Sequence, residues 1–166
     1  MAGKSDFSPE EWKILVESAM MAALAVTAAV PSGLWGALKE GIASARTIIG
    51  AAHDLSSAEV VRAVAADYET AEGRAIAREG LRAKLSGKKP PEIVTRALEM
   101  VKQAATIIDA KAPADSASFK AFLLHVAQAV AEASKEGGFL GFGGTQVSEA
   151  EKATLAHIAE SLGLSA

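Results

Sequence analysis

The stretch FSPEEWKILVESAMMAALAVTAAV, residues 7–30, decides the fold class that we predict for this chain. It opens with a capping hydroxyl at Ser8, a proline at the first helical position, and a glutamate, Glu11, three residues after the cap. Phe7 and Trp12 flank this capping box with the spacing of a hydrophobic staple. The sequence therefore predicts a helix that begins at residue 9.

This first helix is apolar enough to raise the question of a membrane span. From Ser18 to Leu38 the chain carries no charged residue, over a length that would cross a bilayer. Much of the run is alanine, which contributes little to membrane insertion, and Pro31, Ser32 and Gly33 interrupt it. We therefore expect a buried helix that ends near Pro31, and no transmembrane segment.

The same capping pattern recurs twice along the chain. Residues 55–60, LSSAEV, place serines before Glu59, with Leu55 and Val60 spaced as a staple. Residues 148–151, SEAE, repeat the box near the C-terminus. Three such helix starts in one short chain predict an all-helical fold.

Prolines, glycines and polar caps place the remaining helices. The segment 57–86 contains Gly73 and Gly80, so we divide it near Thr70 to Gly73. No segment alternates strictly between apolar and polar residues, as a strand would. Together with the first and last helices this gives about seven, the others covering approximately residues 36–52, 57–70, 73–86, 90–110 and 116–135.

Composition limits the class of protein. A chain of 166 residues is the usual size of one domain, and it contains no cysteine, which excludes disulfides, thiolate zinc sites and cysteine nucleophiles. The apolar share is 50%, with few aromatics and many alanines, which favours closely packed helices. The net charge is −3 and the basic residues are scattered, so we expect no nucleic-acid binding. The acidic N-terminal segment is unlike a secretory signal, and we expect a cytoplasmic protein.

Two parts of the chain resemble each other. Trp12-Lys13 and Phe119-Lys120 each begin an alanine-rich helix that leads to a glycine corner, SGLWG at residues 32–36 and GGFLG at residues 137–141. A helix with glutamate in or just before its first turn follows each corner. These likenesses predict an internal duplication of a helix-loop-helix hairpin.

The segment FKAFLLHVAQAVAEASKEGGFLGFGGTQVSEAEKATLAHIAESLGL, residues 119–164, carries a resemblance to a known family. A helix ending in alanine and acidic residues, a glycine loop, the helix start at Val147-Ser148-Glu149 and the ending Leu162-Gly163-Leu164 are similar to the closing hairpin of the tellurite-resistance TerB-like domains. The resemblance implies one all-helical TerB-like domain over residues 1–166, with two pseudo-symmetric hairpins and a link to stress. It also implies an acidic, metal-binding turn, although the family's Ala-Asp-Gly is Lys135-Glu136-Gly137 here.

Acidic residues near the corners form one candidate site. Glu136, Glu149 and Glu151 would converge across the second corner, with Glu40 after the first, and carboxylate oxygens are the ligands that calcium and magnesium prefer. Glu149 and Glu151 are equally well explained as first-turn and capping residues that the helix dipole favours. The sequence leaves both interpretations open.

Large apolar residues at the corners form another candidate site. Phe139, Leu140 and Phe142 lie on the glycine loop, and Leu34 and Trp35 lie at the other corner. Such residues either fold over helix ends as caps or form an exposed patch for a protein partner.

Catalytic motifs are missing from the sequence. The glycine loop has no P-loop lysine and hydroxyl and leads into two glutamates, so it is not a phosphate site. His53, His125 and His157 have no paired spacing, and no serine lies in a nucleophile elbow. We therefore expect no catalytic residues and no enzyme.

Three functions follow from these residues. The first is a non-enzymatic binding or interaction protein, possibly stress-related in the sense of the family name, with the corner loops as its contact surface. The second is a protein that binds a divalent cation at the acidic corner. The third is a helical carrier of an apolar ligand, which would have a closed cavity lined by alanine, methionine and leucine.

Overall fold

A computed structural model describes residues 2–30, 33–135 and 147–164, with the backbone alone at 33–40 and 135. These residues form seven α-helices and no β-strand, after a short 3-10 turn at Lys4–Asp6. The prediction of an all-helical chain of about seven helices is confirmed. The helices are α1 (Pro9–Ala29), α2 (Gly33–His53), α3 (Glu59–Asp67), α4 (Ala71–Leu85), α5 (Pro90–Lys111), α6 (Ser116–Lys135) and α7 (Glu149–Ser161).

Helix α1 lies at the centre of the bundle. It packs most extensively against α5, while α6, α4 and α7 cover its other sides. Leu15, Val16 and Ala19 are fully buried on it, and the small alanines that follow let neighbouring helices approach closely. The alanine-rich composition therefore explains how one helix is surrounded by so many others.

Helix α1 is also long and apolar enough to cross a membrane by length and composition, with a mean hydropathy of 1.4 in its most apolar window. In the fold, 61% of that window is buried inside the protein. Both the core helix of a soluble protein and a signal sequence near the N-terminus pass the same test of length and composition, so the expectation of no transmembrane segment stays a prediction.

The first predicted hairpin consists of α1 and α2 and the second of α6 and α7, and the two pack against each other. Helix α2 packs mainly against α6, and α7 packs against α1, α5 and α6. The helix after each corner therefore contacts the first helix of the other hairpin, which is the arrangement expected of a pseudo-symmetric pair. The internal duplication itself stays a prediction.

Two of the three predicted capping boxes are confirmed. At α1, Glu11 N donates to Ser8 Oγ at 3.2 Å and Ser8 N donates to Glu11 Oε2 at 2.8 Å. The rings of Phe7 and Trp12 lie 5.8 Å apart, so the staple is also formed. Helix α7 has the same box at its start, and both helices begin where the sequence predicts.

The capping box predicted at Ser56 is wrong. Helix α3 begins at Glu59, and the side chain of its cap residue Ala58 has no atom that can accept a hydrogen bond. Ser56 instead donates to the carboxylate of Asp54 through its backbone N and its hydroxyl, at 2.9 and 2.7 Å. Leu55 is 85% exposed, so no staple forms. A charged acceptor two residues before the serine competes for its hydrogen bonds and forms a turn there.

Candidate functional site

The apolar residues predicted at the corners lie mostly beyond what the structure describes. Phe139, Leu140 and Phe142 are outside the described residues, and Leu34 and Trp35 are described by their backbone alone. That backbone is already helical, because α2 begins at Gly33, so the corner predicted at residues 32–36 is wrong from Gly33 onward. Their role as a contact surface therefore stays a prediction.

The acidic corner is described in part. Glu136 lies outside the described residues and Glu40 is described by its backbone alone. Because α2 begins at Gly33, Glu40 lies beyond the first turn of that helix, in which the sequence analysis placed it. Glu149 is an exposed first-turn residue that pairs with Lys152 at 2.7 Å. Glu151 is buried and completes the α7 capping box.

The hydrogen bonds of Glu151 account for its burial. Its Oε2 accepts from the N and the Oγ of Ser148, both at 2.8 Å, and its Oε1 accepts from Ser134 Oγ on α6 at 2.5 Å. Across residues 2–30, 33–135 and 147–164 no group of three or more histidines or acids could hold a metal ion. The described geometry is that of a cap, and the calcium or magnesium site stays a prediction.

An apolar pocket lies between α1, α2 and α4, at a place that the sequence analysis did not single out. Its volume is about 270 Å³. Ile48, Tyr68 and Ala77 are almost completely buried and form its deep end, whereas Ala45 and Ile49 are exposed at its mouth. Its full lining is Met20, Ala45, Ile48, Ile49, Tyr68, Arg74, Ala77, Arg78 and Leu81.

Helix packing explains why the pocket exists. Helix α4 packs on α1, whereas α2 packs on α6 and α3. The two helices approach α1 from different sides and leave a gap between them. At the N-terminus of α4, Thr70 Oγ1 accepts from Gly73 N at 2.9 Å, which fixes the direction in which the helix leaves the turn.

Gly80 brings α4 close to α1. A Cβ at this position would overlap the carboxylate of Glu17. Glu17 is fully buried, and its Oε2 accepts from Lys84 Nζ, while Lys13 Nζ lies 3.9 Å from its Oε1. Ala77 and Leu81, on the same helix as Gly80, line the pocket. The close contact at Gly80 therefore sets the position of one pocket wall.

Tyr68 keeps the deep end of the pocket apolar. Its hydroxyl donates to the backbone carbonyl of Val16, so the ring faces the pocket while the polar atom is satisfied elsewhere. Burial raises the pKa of Tyr68 well above its usual range, and the charges of Glu17 and Asp67 raise it further. The side chain therefore stays neutral.

Two arginines from α4 line the same pocket. Arg74 is held in place because its Nη1 donates to the carbonyl oxygens of Tyr68 and Glu69, at 3.1 and 2.8 Å. Arg78 is exposed and makes no ion pair with any acid in the described part of the chain. The pocket surface is almost wholly apolar, so both arginines line it with the carbon atoms of their side chains rather than with their charged groups.

A second cavity, of about 530 Å³, lies between α2, α6 and the turn before α3. It is lined by polar residues that include Arg46, Asp54 and His125. Ser56 and Ser57 also line it, but Asp54 accepts both of their hydroxyl hydrogens. These hydrogen bonds lower the pKa of Asp54 and stabilise the turn. Three of its polar lining residues, Asp54, Ser56 and Ser57, are therefore engaged with one another in the turn before α3.

The three histidines lie on three different helices. His53 ends α2 and its Nε2 lies 2.7 Å from Glu69 Oε1. His125 lines the polar cavity, and His157 is exposed on α7.

No family model, curated protein or solved structure matches this chain. The resemblance to TerB-like domains stays a prediction, and functional arguments rest on the geometry of the chain itself.

Two features of the chain could have drawn attention to the region of the pocket. Arg74, Arg78 and Arg82 follow each other at four-residue spacing, so they lie on one face of α4. Ile42 and Ile49 are seven residues apart on α2 and are both exposed. Neither signal identifies a pocket alone, because the two helices meet only in the folded protein.

Proposed function

We propose that this chain is a non-enzymatic binding protein that holds a small apolar ligand in the pocket between α1, α2 and α4. The observation that carries the proposal is the lining itself, in which methionine, alanine, isoleucine, leucine and a tyrosine ring surround a partly enclosed space. Ligand sites are typically concave and mostly apolar, with few polar groups. The pocket is open at its mouth, unlike the closed cavity expected from the sequence, but its apolar lining supports the third of the predicted functions.

The size of the pocket limits the ligand. Drug-sized ligands occupy pockets of roughly 300–1,000 Å³, and this one is about 270 Å³. It suits a single alkyl chain or a compact ring better than a bulky cofactor.

The chemistry of the lining supports binding rather than catalysis. None of the described residues that line the pocket carries a carboxylate, an imidazole or an aliphatic hydroxyl. Tyr68 is neutral and its hydroxyl is bound to Val16. Nucleophilic and general acid-base chemistry need such groups within hydrogen-bond reach of the substrate.

The test is the binding of a neutral apolar fluorophore, N-phenyl-1-naphthylamine, whose emission rises in apolar surroundings. We expect saturable binding by the wild-type chain. Ala45→Trp should abolish it, because Ala45 is an exposed residue at the mouth and a large ring there fills the pocket.

The matched control is Ala83→Trp. Ala83 is an exposed alanine on α4 that does not line the pocket, so this variant should bind the fluorophore as the wild type does. Absence of binding by the wild type, or equal binding by Ala45→Trp, would contradict the proposed function.

A further inference from the structure

We infer that the ligand of this pocket is an amphiphile with a carboxylate headgroup, whose alkyl chain enters the pocket while Arg74 and Arg78 hold the headgroup. This inference rests on the proposed function and adds the chemical class of the ligand. It is carried by two exposed arginines whose carbon atoms line the apolar pocket, which leaves their charged groups at its border with solvent.

The placement of charge on α4 supports an anionic ligand. Arg74, Arg78 and Arg82 form a row at four-residue spacing, and like charges at this spacing destabilise a helix. Arg78 has Arg74, Ala75, Leu81 and Arg82 as its neighbours three and four residues away, so no acid on the helix offsets its charge. An anion bound between the arginines would supply the missing partner.

Nearby acids do not occupy the arginines. The Glu69 carboxylate pairs with His53, and only the backbone carbonyl of Glu69 contacts Arg74. Glu17 lies across the α1–α4 interface and pairs with Lys84 and Lys13. Glu79 is the residue next to Arg78 in the helix, so it points away from the side on which Arg78 and Leu81 line the pocket.

Arginine geometry favours a carboxylate. The Nη1 of Arg74 is fixed by two backbone carbonyls, which orients the rest of the planar guanidinium. A planar guanidinium binds a carboxylate through two parallel hydrogen bonds. Arg78, one helical turn further along, lies on the same face and adds a second positive charge.

The experiment displaces bound N-phenyl-1-naphthylamine with three ligands that share one alkyl chain: decanoate, 1-decanol and decyltrimethylammonium, all below their micelle concentrations. We expect decanoate to displace the fluorophore at the lowest concentration and the cation at the highest. Arg78→Gln should lower the affinity for decanoate by about three- to tenfold, the range for a charge-assisted hydrogen bond near a surface. The same substitution should leave the affinity for 1-decanol unchanged.

Arg82→Gln is the matched control, because it removes the same charge from the same helix at a residue that does not line the pocket. It should lower the affinity for decanoate less than Arg78→Gln does. Two results would overturn the inference of a carboxylate headgroup without contradicting ligand binding in the pocket. One is equal potency of decanoate and 1-decanol, and the other is an equal loss of affinity for both ligands in Arg78→Gln. Failure of the fluorophore to bind at all would overturn the proposed function as well.

Discussion

Single residues set the position of the pocket wall, and Gly80 is the clearest case. Its Cα hydrogen faces the buried carboxylate of Glu17, which occupies the space that a larger residue would need. From the sequence alone a glycine inside a helix indicates a weak point, and we divided the segment 57–86 accordingly. The division near Thr70 is confirmed, but Gly80 lies inside α4, where it serves a close approach between helices.

We expect Gly80→Ala to destabilise the protein by about 1–3 kcal/mol, because the added methyl group overpacks a buried interface. Gly41 is the control: it lies in α2 with nothing within 4 Å of an added Cβ. Gly41→Ala should stabilise by about 0.5–1 kcal/mol through helix propensity. Urea unfolding followed by circular dichroism measures both, and a Gly80→Ala variant as stable as Gly41→Ala would show that the close approach is not formed.

The partners of Glu17 could not be predicted from the sequence. Glu17 lies on α1 directly before the uncharged run, and Lys84 is 67 positions away in the chain. A buried acid needs a partner, since an isolated buried charge is very costly. The sequence gives no means of choosing among the lysines, because the choice depends on how α4 crosses α1.

Helix starts are the elements that the sequence predicts best. The signals at Ser8 and Ser148 are local, and the capping hydrogen bonds form within four residues. The signal at Ser56 has the same spacing but fails, because Asp54 accepts the serine hydroxyl and Ser118 from α6 contacts Ala58 N at 3.4 Å. Local patterns are therefore reliable where no neighbouring group competes for the same hydrogen bond.

A pair of alanine substitutions tests this difference. Ser148→Ala should cost about 1 kcal/mol of stability, as for other lost N-caps, since it removes the acceptor of Glu151 N and a donor to a buried carboxylate. Ser56→Ala should cost less, up to about 0.5 kcal/mol, because Ser56 caps no helix and its hydroxyl bonds only to the exposed carboxylate of Asp54. Thermal unfolding of both variants beside the wild type measures the two effects, and equal losses would mean that Ser56 is a cap after all.

At the scale of the whole molecule, the fold class is predictable and the site is not. Capping boxes, prolines and apolar periodicity give seven helices, because these signals act over short distances. The pocket forms where α2 and α4 both flank α1 without closing on each other, so it depends on helix packing across the chain. The predicted corner sites rest on side chains that lie largely outside the described residues, so the contact surface and the cation site stay predictions.

The central claim is that an apolar ligand binds between α1, α2 and α4. Nuclear magnetic resonance of the backbone amides during titration with 1-decanol tests it most directly, since it locates the ligand without any substitution. We predict that the largest shift changes occur at Ala45, Ile49, Ala77 and Leu81, which line the pocket on its two sides. Shift changes concentrated on α5 or α7, or no change at any amide, would contradict the account.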